Sequence, residues 1–135
     1  MEDREKLRIE PILELDQLAH RVIGSALEVH RFLGPGFFES VYEPALAIEL
    51  GLRGIAFENQ KIIKIKYKEK SVGEGKLDFL IDGRLIVELK AVESPNATHK
   101  EKFISYLRVT QLHLGLLINF NVSVLKNGLQ RVILS

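Results

Sequence analysis

The sequence predicts a single α/β domain built around a mixed sheet, and two observations carry that prediction. Apolar residues recur three and four apart in the first part of the chain, switch to strict alternation after Gln60, and return to helical spacing after Ala97. The run Leu112–Phe120 (LHLGLLINF) is then almost wholly apolar, as expected of a strand covered on both faces.

Composition agrees with one domain, spanning 1–135. Hydrophobic residues make up 46% and charged residues 27%, the profile of a globular core rather than a disordered chain. Lys and Arg number 19 against 18 Asp and Glu, for a net charge of +1, so the chain does not coat nucleic acid by bulk charge, although a local patch is open to it. There is no cysteine, which excludes disulfides, thiolate metal sites and a thiol nucleophile. No apolar run has the length of a membrane span, and MEDREKLRIE is too charged for a signal peptide, so the expectation is a cytoplasmic protein with no membrane partner.

The elements follow in order. Residues 1–11 are charged, end at Pro11 and read as a flexible lead-in. Leu15, Leu18, Val22, Ala26, Val29 and Leu33 then form one stripe of an amphipathic helix, stopped by Gly34-Pro35-Gly36. A second helix occupies roughly 40–52. Pro44 is tolerated only near a helix start, so this helix should begin just before it, with Glu39 and Tyr42 at or close to the N-terminus; a kinked helix is the alternative. In 60–70, Ile63, Ile65 and Tyr67 alternate with Lys64, Lys66 and Lys68, giving a strand with a greasy and a basic face. Val72–Gly75 reads as a turn, and 76–81 and 84–92 as two strands around Asp82-Gly83. A third helix covers 97–111, the apolar strand 112–120, and a hairpin about Asn127-Gly128 ends the chain.

The chemistry concentrates in KLDFLIDGRLIVELK, residues 76–90. Alternation puts Leu77, Phe79 and Ile81 on one face of the first strand, with Lys76 and Asp78 on the other. On the second strand Glu88 and Lys90 oppose Leu85, Val87 and Leu89. A two-residue loop would put Asp78 and Glu88 on opposite faces. A three-residue loop, Ile81-Asp82-Gly83, restores a common face and gathers the apolar residues on the other side, as a core requires. The two carboxylates are then diagonal neighbours, about 7–8 Å apart at the backbone and able to converge on one ion. Their hard oxygens suit Mg²⁺ or Mn²⁺. Lys90 adds a cation that could deprotonate a water or neutralise charge on a phosphate. The alternative is an ordinary strand with a solvated salt bridge at Lys90. Leu80 and Ile86 beside the acids weigh against it, because an unpaired carboxylate is costly to bury.

Gly36-Phe37-Phe38-Glu39-Ser40-Val41-Tyr42, within LGPGFFESVYEPAL, matches the signature of the GxxExxY protein family. Asp78 followed by Glu88-Leu89-Lys90 resembles the D…ExK core of the PD-(D/E)XK nuclease superfamily, to which that family is assigned. Leu107 and Gly115–Phe120 fit the same pattern, so the resemblance covers roughly Leu15 to Leu134. It implies a restriction-endonuclease-like αβββαβ core with a mixed central sheet, preceded here by an extra N-terminal helix and followed by a C-terminal hairpin. It also implies hydrolysis of phosphodiesters, DNA first, by metal-activated water. On that basis Asp78, Glu88 and the Leu89 carbonyl would hold Mg²⁺ or Mn²⁺, Lys90 would activate water or stabilise the transition state, and Glu39 would be the helix acid that holds a metal-bound water or a second ion. Nuclease branches often carry Gln-x-x-x-Tyr on the second core helix. Here Lys102 stands at the glutamine and Tyr106 at the tyrosine, and Lys76 stands where an arginine is expected. These residues are the substrate-side candidates.

Tyr42, three residues after Glu39, either positions that acid or a phosphate, or packs with its hydroxyl capped. Glu43 reads more readily as a solvated helix acid. Lys61, Lys64, Lys66, Lys68 and Lys70 either meet backbone phosphates or protect an edge strand, with the second favoured. The scattered histidines have no His-x₃-His spacing, and no phosphate loop or serine-hydrolase elbow is present. The sequence thus points to a Mg²⁺-dependent nuclease acting on DNA, compatible with a homodimer. The competing reading is a catalytically silent nucleic-acid-binding or protein-assembly module that retains the fold.

Overall fold

The computed structural model describes the backbone of residues 2–134 and the side chains of residues 13–134. Helix α1 (Glu2–Leu33) is followed by α2 (Glu39–Leu52), then by strands β1 (Phe57–Tyr67), β2 (Lys70–Ile81) and β3 (Leu85–Lys90). Helix α3 (Ala97–Thr110) leads into β4 (Leu114–Asn119), and β5 (Leu129–Ile133) ends the domain. The bounds of α1 take in the segment read from sequence as a lead-in, whose side chains lie outside the described residues. Pro44 lies in the second turn of α2, where the helix continues without the bond its missing N–H would have made.

The five strands form one sheet in the order β1-β2-β3-β4-β5. The β3/β4 pair is parallel and the other three pairs are antiparallel, as a mixed sheet requires. A parallel pair cannot be joined by a tight turn, and α3 supplies the crossover. Alternation along β3 sorts the core into two layers. Leu85, Val87 and Leu89 face α1 and α2, packing in one cluster with Val22, Ala26, Leu46 and Leu50. Ile86 faces α3, with Phe103 and Leu107. Every residue of β4 is buried, because helices cover both of its faces. Gly115 lets α3 sit this close: a Cβ there would lie 2.3 Å from the Phe103 ring.

Four local expectations change. The turn after β1 falls at Lys68-Glu69, both at positive φ (47° and 68°), and Val72–Gly75 belong to β2. No Gly or Asn marks that turn, so the sequence gives it no signal. Between β2 and β3, Asp82 and Gly83 take positive φ (50° and 68°), and the Arg84 N–H closes the turn on the Ile81 carbonyl at 2.9 Å. Pairing resumes at Ile81↔Leu85, so the three intervening residues are Asp82-Gly83-Arg84 rather than Ile81-Asp82-Gly83. The common face survives, but the register puts Asp78 across from Glu88 instead of diagonal to it. Third, Leu77 packs with the α3 cluster while Phe79 and Ile81 pack with α1 and α2, so the faces of β2 exchange at Asp78. Fourth, the C-terminal hairpin has β4 and β5 as its arms; Asn127 and Gly128 lie in a single 3-10 turn (Leu125–Gly128) before β5.

Candidate active site

The break in β2 builds the site. The β1/β2 ladder pairs Asn59 with Phe79 and Lys61 with Leu77 but skips Gln60 and Asp78 between them. Gln60 stands at φ 55°, a left-handed conformation uncommon for a non-glycine residue inside a strand. The backbone of Asp78 is satisfied by side chains instead. Its carbonyl accepts from the Asn59 amide at 2.8 Å, and its N–H donates to Glu88 Oε1 at 3.1 Å. On the other side β2 and β3 are in register only from Phe79↔Val87 to the turn, so the strands part at the Asp78/Glu88 level. Across that fork the Leu89 N–H donates to Asp78 Oδ2 at 2.8 Å. Each carboxylate therefore caps a backbone N–H of the opposite strand.

These bonds commit one oxygen of each acid. Asp78 Oδ1 meets only the Gln60 amide, at 3.5 Å, and Glu88 Oε2 has no hydrogen-bond partner among the described residues. Burial, and then the charge of Asp78, push the Glu88 carboxyl up to about 8. A buried carboxyl held beside a second carboxylate favours a proton or a cation in the remaining space.

Helix α2 adds a third acid. Gln60 donates to Glu43 Oε1 as well as facing Asp78, so the amide ties α2 to β2. Burial raises the Glu43 carboxyl above the ordinary carboxylate range, with the charges of Asp78 and Glu39 adding to the effect. Glu39 lies one turn earlier in the first turn of α2 and is exposed. Glu43 is thus the helix acid coupled to Asp78, although its sequence reads as a solvated position. Gln60 gave no signal in the sequence, since only the break in the ladder singles it out.

Beyond the fork, a cavity of about 220 Å³ opens between α3 and the sheet, lined by Glu88, Lys90, His99, Lys102, Phe103, Tyr106 and Leu117. Lys102 lies over the Tyr106 ring, 5.6 Å from its centroid. The ring in turn rests on Gly75, where a Cβ would approach within 2.7 Å. The structure thus gathers Glu88, Lys90, Lys102 and Tyr106 as the sequence suggested. Lys76 is exposed and does not line this cavity; it follows Gly75, so alternation turns it to the other face of β2.

Tyr42 has a different role from the substrate contact considered for it. It is fully buried and stacks on Phe120 at 4.6 Å. Its hydroxyl donates to the Gly34 carbonyl at 2.6 Å and accepts from the Phe37 N–H at 3.2 Å, which fastens the Gly-Pro-Gly loop to α2. The lysines of β1 decorate an edge strand, in keeping with edge protection.

A divalent cation fits this donor set in part. Among the described residues there is no group of three or more His, Cys, Asp or Glu side chains arranged to hold a metal. Two carboxylates with one uncommitted oxygen each suit Mg²⁺, which keeps several of its waters. No described helix is long and apolar enough to cross a membrane.

Comparisons with curated proteins and with solved structures each return no match. A fork held by an aspartate and an ExK glutamate on an αβββαβ scaffold is nonetheless a recognisable arrangement, and a family model described as the PD-(D/E)XK nuclease superfamily matches residues 16–132; the chain belongs to that superfamily.

Proposed function

We propose that the protein is a metal-dependent phosphodiesterase that hydrolyses nucleic acid, with DNA the favoured substrate, and that it stands in the GxxExxY branch of its superfamily. The supporting observation is the Asp78–Glu88 fork, in which two half-buried carboxylates present free oxygens beside a cavity holding Lys90 and Lys102. Asp78, Glu88 and the Leu89 carbonyl would hold Mg²⁺ or Mn²⁺. When bound, the ion supplies Lewis-acid stabilisation and a more acidic water.

The chain's own residues do the rest. Lys90 follows Glu88 by two residues on β3 and lines the same cavity, where its ammonium can orient the water or offset charge on the phosphate. Lys102 is a point charge for a phosphate where an amide would make a directed contact. Of the acids on α2, Glu43 is the better placed to hold a water, because Gln60 fixes it relative to Asp78. Glu39, the position named by the signature, would act only at longer range.

The test is cleavage of plasmid and single-stranded DNA with Mg²⁺ or Mn²⁺ by the wild type, Asp78→Asn and Lys90→Ala, alongside calorimetric metal titration. Cleavage should fall at least 100-fold in both variants, with metal binding lost in Asp78→Asn and kept in Lys90→Ala. Absence of metal binding in the wild type would overturn the catalytic reading and favour the binding module.

A further inference from the structure

Helix α2 is apolar on two sides. Tyr42, Leu46 and Leu50 face the core and are fully buried. Val41, Ala45, Ile48 and Leu52 fall three and four apart on the outward side, which makes them a second stripe. Ile48 is 66% exposed, Leu52 77%, and Phe38, which precedes the helix, 82%. None of the three acids of α2 belongs to this stripe: Glu39 stands in the first turn, Glu43 meets Gln60, and Glu49 pairs with Arg53. A solvated helix carries charge on its outward face, whereas a helix that is apolar on both sides is a buried one. The chemistry and size of the face say what buries it. A membrane surface would be met through basic residues, and α2 has none. A face without charge offers a different protein no charge pattern to read, and it repels nothing in its own copy. Phe38, Val41, Ile48 and Leu52 alone expose on the order of 500 Å² of apolar side chain, against the roughly 800 Å² per partner of a standard stable interface. The exposed Ser40, Pro44 and Gly51 extend the uncharged surface around them.

We propose that this face is the two-fold interface of a homodimer, in which the α2 helices of two copies pack antiparallel across Ala45. Phe38 of each copy then lies against Leu52 of the other, and Val41 beside Ile48, because the members of each pair stand at nearly equal distances on either side of Ala45. The short side chain of Ala45 lets the two helix axes approach to about 8 Å at the crossing. The inference concerns assembly and does not rest on the nuclease reading.

The test follows the mass of the full chain by sedimentation velocity over a dilution series, without metal or substrate. The wild type should be a dimer with a Kd on the order of micromolar or tighter. Its urea midpoint should rise with protein concentration, as association of the folded chain requires. Ile48→Lys alters a side chain that is exposed in the single chain, so the fold is kept. It should weaken the dimer at least about 100-fold, because the substitution enters the interface twice. Val72→Lys, at a comparably exposed position near the end of the β1–β2 hairpin, should leave the dimer unchanged. Val41→Glu should weaken it as Ile48→Lys does. Mixing the Val41→Glu protein with the Ile48→Lys protein should restore a dimer to within about tenfold of wild type, since the antiparallel pairing sets the acid of one against the lysine of the other. A wild type that sediments as a monomer at about 100 µM overturns the proposal and leaves the face to a different chain. A dimer unmoved by Ile48→Lys overturns it as well, and so does failure of the two mixed variants to pair.

Discussion

Replacing Glu88 with glutamine isolates the electrostatic cost of the fork. The glutamine Oε1 can still accept from the Asp78 N–H, so shape and hydrogen bonding are kept while the ionisable group is removed. In the folded protein the Glu88 carboxyl titrates at about 8, against an ordinary value of 4.5, because of its burial and the neighbouring Asp78. Between those two pH values the folded state holds a proton that the unfolded chain has released. Linkage then makes wild-type stability fall as pH rises through this window, with no further change from this group below it or above it. At about 1.4 kcal/mol per pH unit, a shift of this size corresponds to a ceiling of about 5 kcal/mol, and solvent screening of a half-buried group brings the expected loss to about 2–4 kcal/mol. Glu43 titrates in the same sense in both proteins and drops out of the difference. Urea unfolding in EDTA should therefore find the wild type and Glu88→Gln close at pH 4.5, and the variant about 2–4 kcal/mol more stable at pH 8.5. Adding Mg²⁺ at pH 8.5 should raise the midpoint of the wild type and leave the variant unchanged. A wild-type–variant difference that is the same at both pH values would refute the reasoning, as would a variant less stable than wild type at pH 8.5.

Tyr42→Phe should cost about 1–2 kcal/mol in urea unfolding by freeing the Phe37 N–H and Gly34 carbonyl, yet leave cleavage per folded molecule unchanged; a specific loss of turnover would restore a substrate role for the hydroxyl. Gly115→Ala drives a methyl into the Phe103 ring and should lower stability by about 2 kcal/mol or more, read as a drop in melting temperature. Glu43→Gln should reduce cleavage by about tenfold, and Glu39→Gln by less than about threefold, with kcat measured for both variants; the reverse order would return the helix-acid role to the signature glutamate.

The element order was legible in the sequence because it depends on periodicity, which a single chain displays openly. The apolar run at Leu114–Asn119 and the alternation around Glu88 are read directly, since each reflects what the two faces of a strand touch. Asp78, Glu88 and Lys90 were legible for the same reason together with the resemblance at ELK. What escaped was set by register and by a break in a ladder. Whether the β2–β3 loop begins at Ile81 or at Asp82 moves the pairing by two residues without altering which face is apolar, so the hydrophobic pattern cannot choose. Gln60 matters only because it opposes Asp78 on a separate strand, and Glu43 only because Gln60 reaches it. Tyr42 was open to two readings, a partner of Glu39 or a packed ring with its hydroxyl capped, and the sequence could not choose because the deciding contact is with Phe120, far along the chain.

The double duty of Asp78 and Glu88 bears on how such a protein could change over generations. Both side chains stitch β2 to β3 by accepting from backbone N–H groups, so on the proposed reading a lineage without hydrolysis would still be held to an oxygen acceptor at each position, an amide serving at 88 as well as the acid. Lys90 has no side-chain hydrogen bond or ion pair among the described residues and would be free to drift once turnover ceased to matter. The lysine of the ExK triplet, rather than the oxygen acceptors at 78 and 88, is therefore the position at which members of this lineage without turnover would first show themselves.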